Sequence, residues 1–142
     1  MNKFILDLEV TNVELSKANH NRYKYVFLQI KMDGTNEQII TEPINNFKWP
    51  LRARRILQNI ENLSGAFMYC SMYSDQNILI ATSKVGLNSF PVSKPKKFAF
   101  PVLSCSNNAI VAAIVSMQAT ISAFFEIHRS TYRNYNSSFL LN

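Results

Sequence analysis

Glycine, cysteine and histidine are scarce in this chain of 142 residues, which has three, two and two of them respectively. The three glycines, Gly34, Gly65 and Gly86, lie far apart, so the sequence lacks the glycine-rich loop that cradles phosphate groups. His20 and His128 have no cysteine or carboxylate at ligand spacing, which argues against a zinc site and against a catalytic base. We therefore expect that the protein is not an enzyme and that it has no catalytic residue, no cofactor and no metal site.

The start of the sequence shows no secretory signal, because Asp7 and Glu9 interrupt its apolar run. Two cysteines are also too few for the disulfide scaffold of a small secreted domain. The sequence therefore predicts a cytoplasmic location.

Acidic residues are outnumbered, nine to fifteen, which gives a net charge of +6. The excess of positive charge lies in residues 43–142, which contain ten Lys or Arg and three Asp or Glu. An asymmetric basic surface suggests an acidic partner, either anionic lipid or an acidic protein surface. The alternative is that the excess Lys and Arg only keep the domain soluble. Nucleic acid is disfavoured, because no stacking motif of an RNA-binding sheet is present.

Two clusters of basic residues are the candidate site for a protein partner or for lipid. Their members are Lys48, Arg52, Arg54 and Arg55 in the first cluster, and Lys94, Lys96 and Lys97 in the second. Arginine offers a planar fork of donors that suits phosphate or carboxylate groups. The alternative interpretation is a pair of solvated polar faces.

Apolar residues alternate with polar ones in residues 4–10, 23–32, 66–73 and 78–87, the pattern of strands with one buried face. Asp33 and Gly34 supply the turn chemistry of a hairpin. Residues 109–127 fit a strand, a helix or, since 109–125 carry no charge, a membrane span. We favour the strand, because Ile, Val and Thr suit a pleated surface and polar residues interrupt the segment.

Residues 50–64 predict the one helix of the chain. Pro50 suits a first helical turn, the apolar residues from Ala53 to Leu63 recur at helical spacing, and Gly65 is placed to end the helix. About eight short strands with this single inserted helix predict an all-β fold, an antiparallel β-sandwich. We expect one domain over residues 1–127, followed by a flexible polar and aromatic tail over 128–142, or by a partner-binding arm there.

The order of these segments resembles a C2 domain. The segments that carry the resemblance are residues 4–10, 25–34, 47–49, 66–73, 74–77, 78–87 and 98–102, followed by the final strand. Residues 31–34 followed by 40–43 are also similar to the start of C2 modules in some centriole and centrosome proteins.

The resemblance implies a β-sandwich that binds membranes or proteins, many members using several loop aspartates to hold calcium. Residues 16–22 contain no acid here, and 74–77 offer only Asp75. Calcium requires six to eight oxygen ligands, so the resemblance implies a calcium-independent module. We expect a scaffold for protein–protein assembly, for example in a cytoskeletal or centriolar structure. The alternatives are a peripheral module that binds anionic phospholipid, and a self-assembling coat-like protein.

Overall fold

The computed structural model describes residues 2–17, 22–41, 43–44, 49–92 and 94–124. Eight antiparallel strands follow the order β3-β2-β5-β6-β7-β8-β1-β4 across the sheet. The strands are β1 Asn2–Leu15, β2 Val26–Met32, β3 Ile39–Ile40, β4 Leu51–Ile60, β5 Phe67–Ser74, β6 Leu79–Gly86, β7 Lys96–Ser104 and β8 Val111–Phe124. Short 3₁₀ helices cover Leu63–Gly65 and Leu87–Ser89. The predicted all-β architecture of eight strands is confirmed.

The sheet divides into two four-stranded halves between β6 and β7. These two strands pair only at Ala81 with Ser104 and at Thr82 with Leu103, whereas β7 and β8 pair along most of their lengths. One half is therefore β3-β2-β5-β6 and the other is β7-β8-β1-β4. The two halves enclose the core between them, as in a β-sandwich.

Alternation along the strands builds this core. In β2 every second residue from Val26 to Met32 is buried, and in β8 the same holds from Ala113 to Ile121. The predicted strand in residues 109–127 is confirmed for the part that forms β8, and its helical alternative is wrong. Among the described residues, no helix is long and apolar enough to cross a membrane. Residues 125–142, which include the predicted tail, lie outside the described part.

The predicted helix over residues 50–64 is wrong, because this segment forms β4, followed by a short 3₁₀ helix. A bulge explains the misleading spacing. Leu57 pairs with Phe4 but Ile60 pairs with Asn2, so β4 holds one extra residue there, and Asn59 has a positive φ of 61°. The bulge turns Ile60 into the core three residues after Leu57, which imitates a helical step. Ile56 would be core in a helix, yet it is 45% exposed.

The direction of the strands gathers the connections at two ends of the sandwich. The connections after β1, β3, β5 and β7 lie together at one end, which we call the loop end; its described residues are 16–17, 22–25, 41, 43–44, 49–50, 75–78 and 105–110. The connections after β2, β4 and β6 lie at the opposite end. There the turn after β2 contacts β4, since the Gln58 N–H donates to the carbonyl of Gly34.

Candidate functional surfaces

Arg52 and Arg54 project outward from β4, with side chains 77% and 69% exposed. Both pair with carboxylates of β1, because Glu9 lies opposite Arg52 and Asp7 opposite Arg54 in the register. Arg52 Nε donates to Glu9 Oε2 at 2.8 Å, and Arg54 Nε donates to Asp7 Oδ1 at 2.6 Å. The hydrogen bond from Arg54 to Asp7, together with the negative charge, raises the pKa of Arg54. The charges of both arginines are thus balanced locally.

Arg55 lies on the other face of β4. The predicted helix over residues 50–64 would place Arg55 on the same face as Arg52, which is wrong, because β4 is a strand and successive residues of a strand point to opposite faces. Its side chain is 20% exposed, its Nη1 donates to the carbonyl of Arg54 at 2.9 Å, and its Nε lies 3.9 Å from Glu37 Oε1. That Nε is buried without a hydrogen-bond partner. The residue is therefore separated from the outward-facing pair.

Of the second cluster, Lys97 shares the outward face with the arginines. A row of paired residues crosses four strands there, running from Lys97 through Gln118 and Glu9 to Arg52. A shallow depression of about 370 Å³ lies along this face, between Pro95 and the ion pairs. Lys94 and Lys96 are exposed nearby in the chain. Lys48 lies outside the described residues. The face thus carries both signs of charge.

Exposed aliphatic side chains cluster at the loop end, a feature that the sequence interpretation missed. They are Ile78, Leu79, Ile110 and Val111, which are 56%, 42%, 51% and 39% exposed. Two backbone hydrogen bonds hold the connections side by side, from the Cys105 N–H to the Ile80 carbonyl and from the Ser104 N–H to the Ile110 carbonyl. The sequence places these residues within the predicted strands of residues 78–87 and 109–127 and does not mark them as exposed. The turn residues before each pair were the only sequence signal of exposure.

The described part of the loop end is basic. Lys17, Arg22 and Lys24 are exposed on the connection after β1, whereas Asp75 is the single acidic residue within the described residues of this end. Glu14 is exposed near the end of β1. Among the described residues, no group of three or more His, Cys, Asp or Glu side chains could hold a metal ion.

Solved structures with a similar backbone indicate what kind of sandwich this is. Neither a protein-family profile nor a curated protein sequence matches the chain. The C2 domain designated A of plant extended synaptotagmin 1 superposes with a TM-score of 0.64 at 12% identity, covering 86% of this chain and 96% of that domain. This chain has a C2-like fold.

Two enzymes contain a segment with the same fold. PLC21 of L. pealei matches with a TM-score of 0.62 at 12% identity and covers 90% of this chain. Human GIVD cytosolic phospholipase A2, solved with methyl gamma-linolenyl fluorophosphonate and terbium chloride, matches at 0.60 and 9% and covers 86%. The chain spans only 17% and 18% of these two proteins, so their activities are not carried over. The likeness shows the fold and does not extend to the suggested centriolar relationship.

Proposed function

We propose that this chain is a non-catalytic, calcium-independent C2-like module that docks on membranes containing anionic lipid through its loop end. The observation that supports this proposal best is the cluster of exposed aliphatic residues at that end, next to exposed lysine and arginine. Such a combination of apolar tips and a basic rim suits the boundary between lipid head groups and acyl chains.

The magnitudes fit a reversible membrane contact. Burying a whole aliphatic side chain contributes about 1.5–3 kcal/mol, so four that are about half exposed contribute about 4 kcal/mol on insertion. Each of Lys17, Arg22 and Lys24 adds about 1 kcal/mol near an anionic surface. The sum corresponds to about a 10⁵-fold preference for the membrane, of which the charge share is sensitive to salt.

Calcium independence rests on the scarcity of ligands at the loop end. Calcium takes six to eight oxygen ligands, usually from several carboxylates, and Asp75 is the one carboxylate in the described residues there. The basic residues at the same end would also repel a divalent cation. The module therefore docks through lysine and arginine directly, without an ion that bridges it to the lipid.

The basic clusters seen in the sequence are the weaker candidates for lipid. Arg52 and Arg54 are already paired with carboxylates, which lowers their attraction for a distant anionic surface. Lys94, Lys96 and Lys97 are exposed and stay candidates for a secondary contact. Assembly with a protein partner, in a cytoskeletal or centriolar setting or through self-association, remains the second proposed function.

Co-sedimentation with vesicles tests the membrane proposal. Vesicles of phosphatidylcholine with and without phosphatidylserine are compared at two salt concentrations, with calcium and with a chelator. We expect binding to the anionic vesicles that is independent of calcium and weaker at high salt. Exchanging Ile78→Ser and Ile110→Ser together should reduce binding about tenfold or more, since two apolar contacts are lost.

Matched variants decide which surface binds. Val92→Ser removes an exposed aliphatic residue at the opposite end and should leave binding unchanged. Replacing Lys17, Arg22 and Lys24 by glutamine should weaken binding at low salt more than the same change at Lys94, Lys96 and Lys97, although each variant removes three charges. Equal losses from both triple variants would contradict the loop end as the docking site. Failure to bind anionic vesicles under any condition would contradict the membrane proposal itself.

A further inference from the structure

β4 is a long strand with one side unpaired, except near Gln58, where the turn after β2 contacts it. Among the described residues it pairs with β1 on one side, and it ends the strand order on the other. The pairing with β1 continues without a shift from Leu51, opposite Val10, to Leu57, opposite Phe4. Proteins usually protect such an edge with short strands, bulges, proline, charged side chains or a covering loop. Residues 51–57 of β4 are regular and contain no proline, so charge is their protection, supplied by Arg52, Arg54 and Arg55.

Two contacts show which backbone groups face the open side. The N–H of Gln58 donates to the turn after β2 and so points away from β1, and the carbonyl of Arg54, an even number of residues away, accepts from the guanidinium of Arg55. Backbone groups alternate sides along an antiparallel strand. The N–H and carbonyl groups of Arg52, Arg54 and Ile56 therefore face the open side. The Arg54 carbonyl has a second lone pair and can accept another hydrogen bond.

Charge alternates in the rows that lead to this edge. The carboxylates of Asp7 and Glu9 on β1 are followed by the guanidinium groups of Arg54 and Arg52 on β4. Arg52 donates only Nε to Glu9, and Arg54 donates Nε and Nη2 to Asp7. A guanidinium has five N–H donors, so each arginine retains donors for a second carboxylate that approaches from the open side.

We propose that the open edge of β4 binds an acidic, extended segment of a partner protein as an added strand. Alternate carboxylates of the segment lie beside Arg52 and Arg54, and its backbone bonds to the groups of β4 that face outward. A second copy of β4 fits less well, because antiparallel pairing centred on Ala53 would place arginine opposite arginine. The proposal is independent of the membrane contact, which uses the loop end.

A capped synthetic peptide of alternating valine and glutamate is the probe. We expect the complete chain to bind it, with dissociation constants measured by fluorescence anisotropy. Amide hydrogen exchange, followed by NMR, should slow at Arg52, Arg54 and Ile56, which gain hydrogen-bond acceptors. A peptide of alternating valine and lysine should not bind. Two further valine–glutamate peptides carry methyl groups on every second backbone nitrogen, one on the valine nitrogens and one on the glutamate nitrogens, so that each keeps hydrogen-bond donors along one edge alone. Binding is expected only for the peptide whose unmodified edge can face β4.

Two charge-matched variants complete the experiment. Arg52→Gln with Arg54→Gln should weaken peptide binding about tenfold or more, because charge-assisted bonds are lost. Lys94→Gln with Lys96→Gln removes the same number of charges at the start of β7 and just before it, and should leave binding unchanged. Unchanged thermal unfolding shows that both variants are folded. Absence of binding, equal weakening in both variants, or unaltered exchange at the three amides would each overturn the proposal.

Discussion

Gly34 offers a sharp test of how the turn after β2 packs against β4. It adopts a φ of 94°, which residues with a side chain rarely adopt. A Cβ atom built at this position would lie 2.8 Å from Ile60 Cδ1, 2.9 Å from Leu57 Cβ and 3.1 Å from the backbone nitrogen of Gln58. The Ile60 methyl group is the end of a flexible side chain, but the other two atoms belong to or adjoin the backbone of β4. Gly34→Ala therefore forces the turn and the strand apart.

Two costs add in this variant. The left-handed backbone conformation costs an alanine about 1–2 kcal/mol. Overpacking against a well-packed element costs about 1–3 kcal/mol. We therefore expect Gly34→Ala to lower the free energy of unfolding by about 2–5 kcal/mol. Movement of the turn would also lengthen the hydrogen bond from Gln58 to Gly34, now 2.9 Å.

Urea denaturation followed by circular dichroism measures the effect, and Gly65→Ala is the matched control. No atom lies within 4 Å of a Cβ built at Gly65. Its substitution should leave stability unchanged or raise it by up to about 1 kcal/mol, because alanine restricts the unfolded chain. If Gly34→Ala and Gly65→Ala behave alike, the close packing of the turn on β4 is refuted.

Three further predictions concern a buried hydroxyl group and the two thiols. Thr41→Val should destabilise the fold by about 1–3 kcal/mol in urea denaturation, because the buried N–H of Leu28 loses its acceptor Thr41 Oγ1, whereas Thr41→Ser should cost less. Burial raises the pKa of the Cys70 thiol from 9.0 to about 12, so at pH 8 a thiol reagent should modify the exposed Cys105 alone until denaturant is added. Since folding holds that proton more tightly, stability should fall as pH rises from 9 towards 12, and Cys70→Ala should flatten this decline.

Strands whose alternation continues over many residues could be predicted from the sequence. In β2 and β8 every second side chain is apolar and buried, so the pattern and the structure agree. β4 could not be predicted, because a single bulge near Asn59 changed its apolar spacing to one that suits a helix. The register with β1 decides the strand, and pairing between distant segments leaves no local signal.

The candidate surfaces were predictable only in part. Arg52 and Arg54 were recognised as exposed basic residues, but their partners Asp7 and Glu9 are more than forty residues earlier in the chain. Local sequence therefore showed a cluster of positive charge where the fold forms ion pairs. Ile78 and Ile110 presented the opposite difficulty. Each continues an apolar strand pattern, and only the position at the loop end leaves it exposed.

The two proposed surfaces depend on different interactions, and this makes their tests separable. Docking by the loop end depends on apolar area and on exposed lysine and arginine. Vesicle binding should therefore weaken when Ile78 and Ile110 are substituted, and it should weaken at high salt, which screens long-range charge. Strand addition at β4 depends on backbone hydrogen bonds and on short-range bonds to Arg52 and Arg54. Loss of peptide binding on methylation of the peptide backbone has no counterpart in vesicle binding. A chain that binds vesicles but not the peptide would thus keep the first proposal and lose the second, and the reverse result would do the opposite.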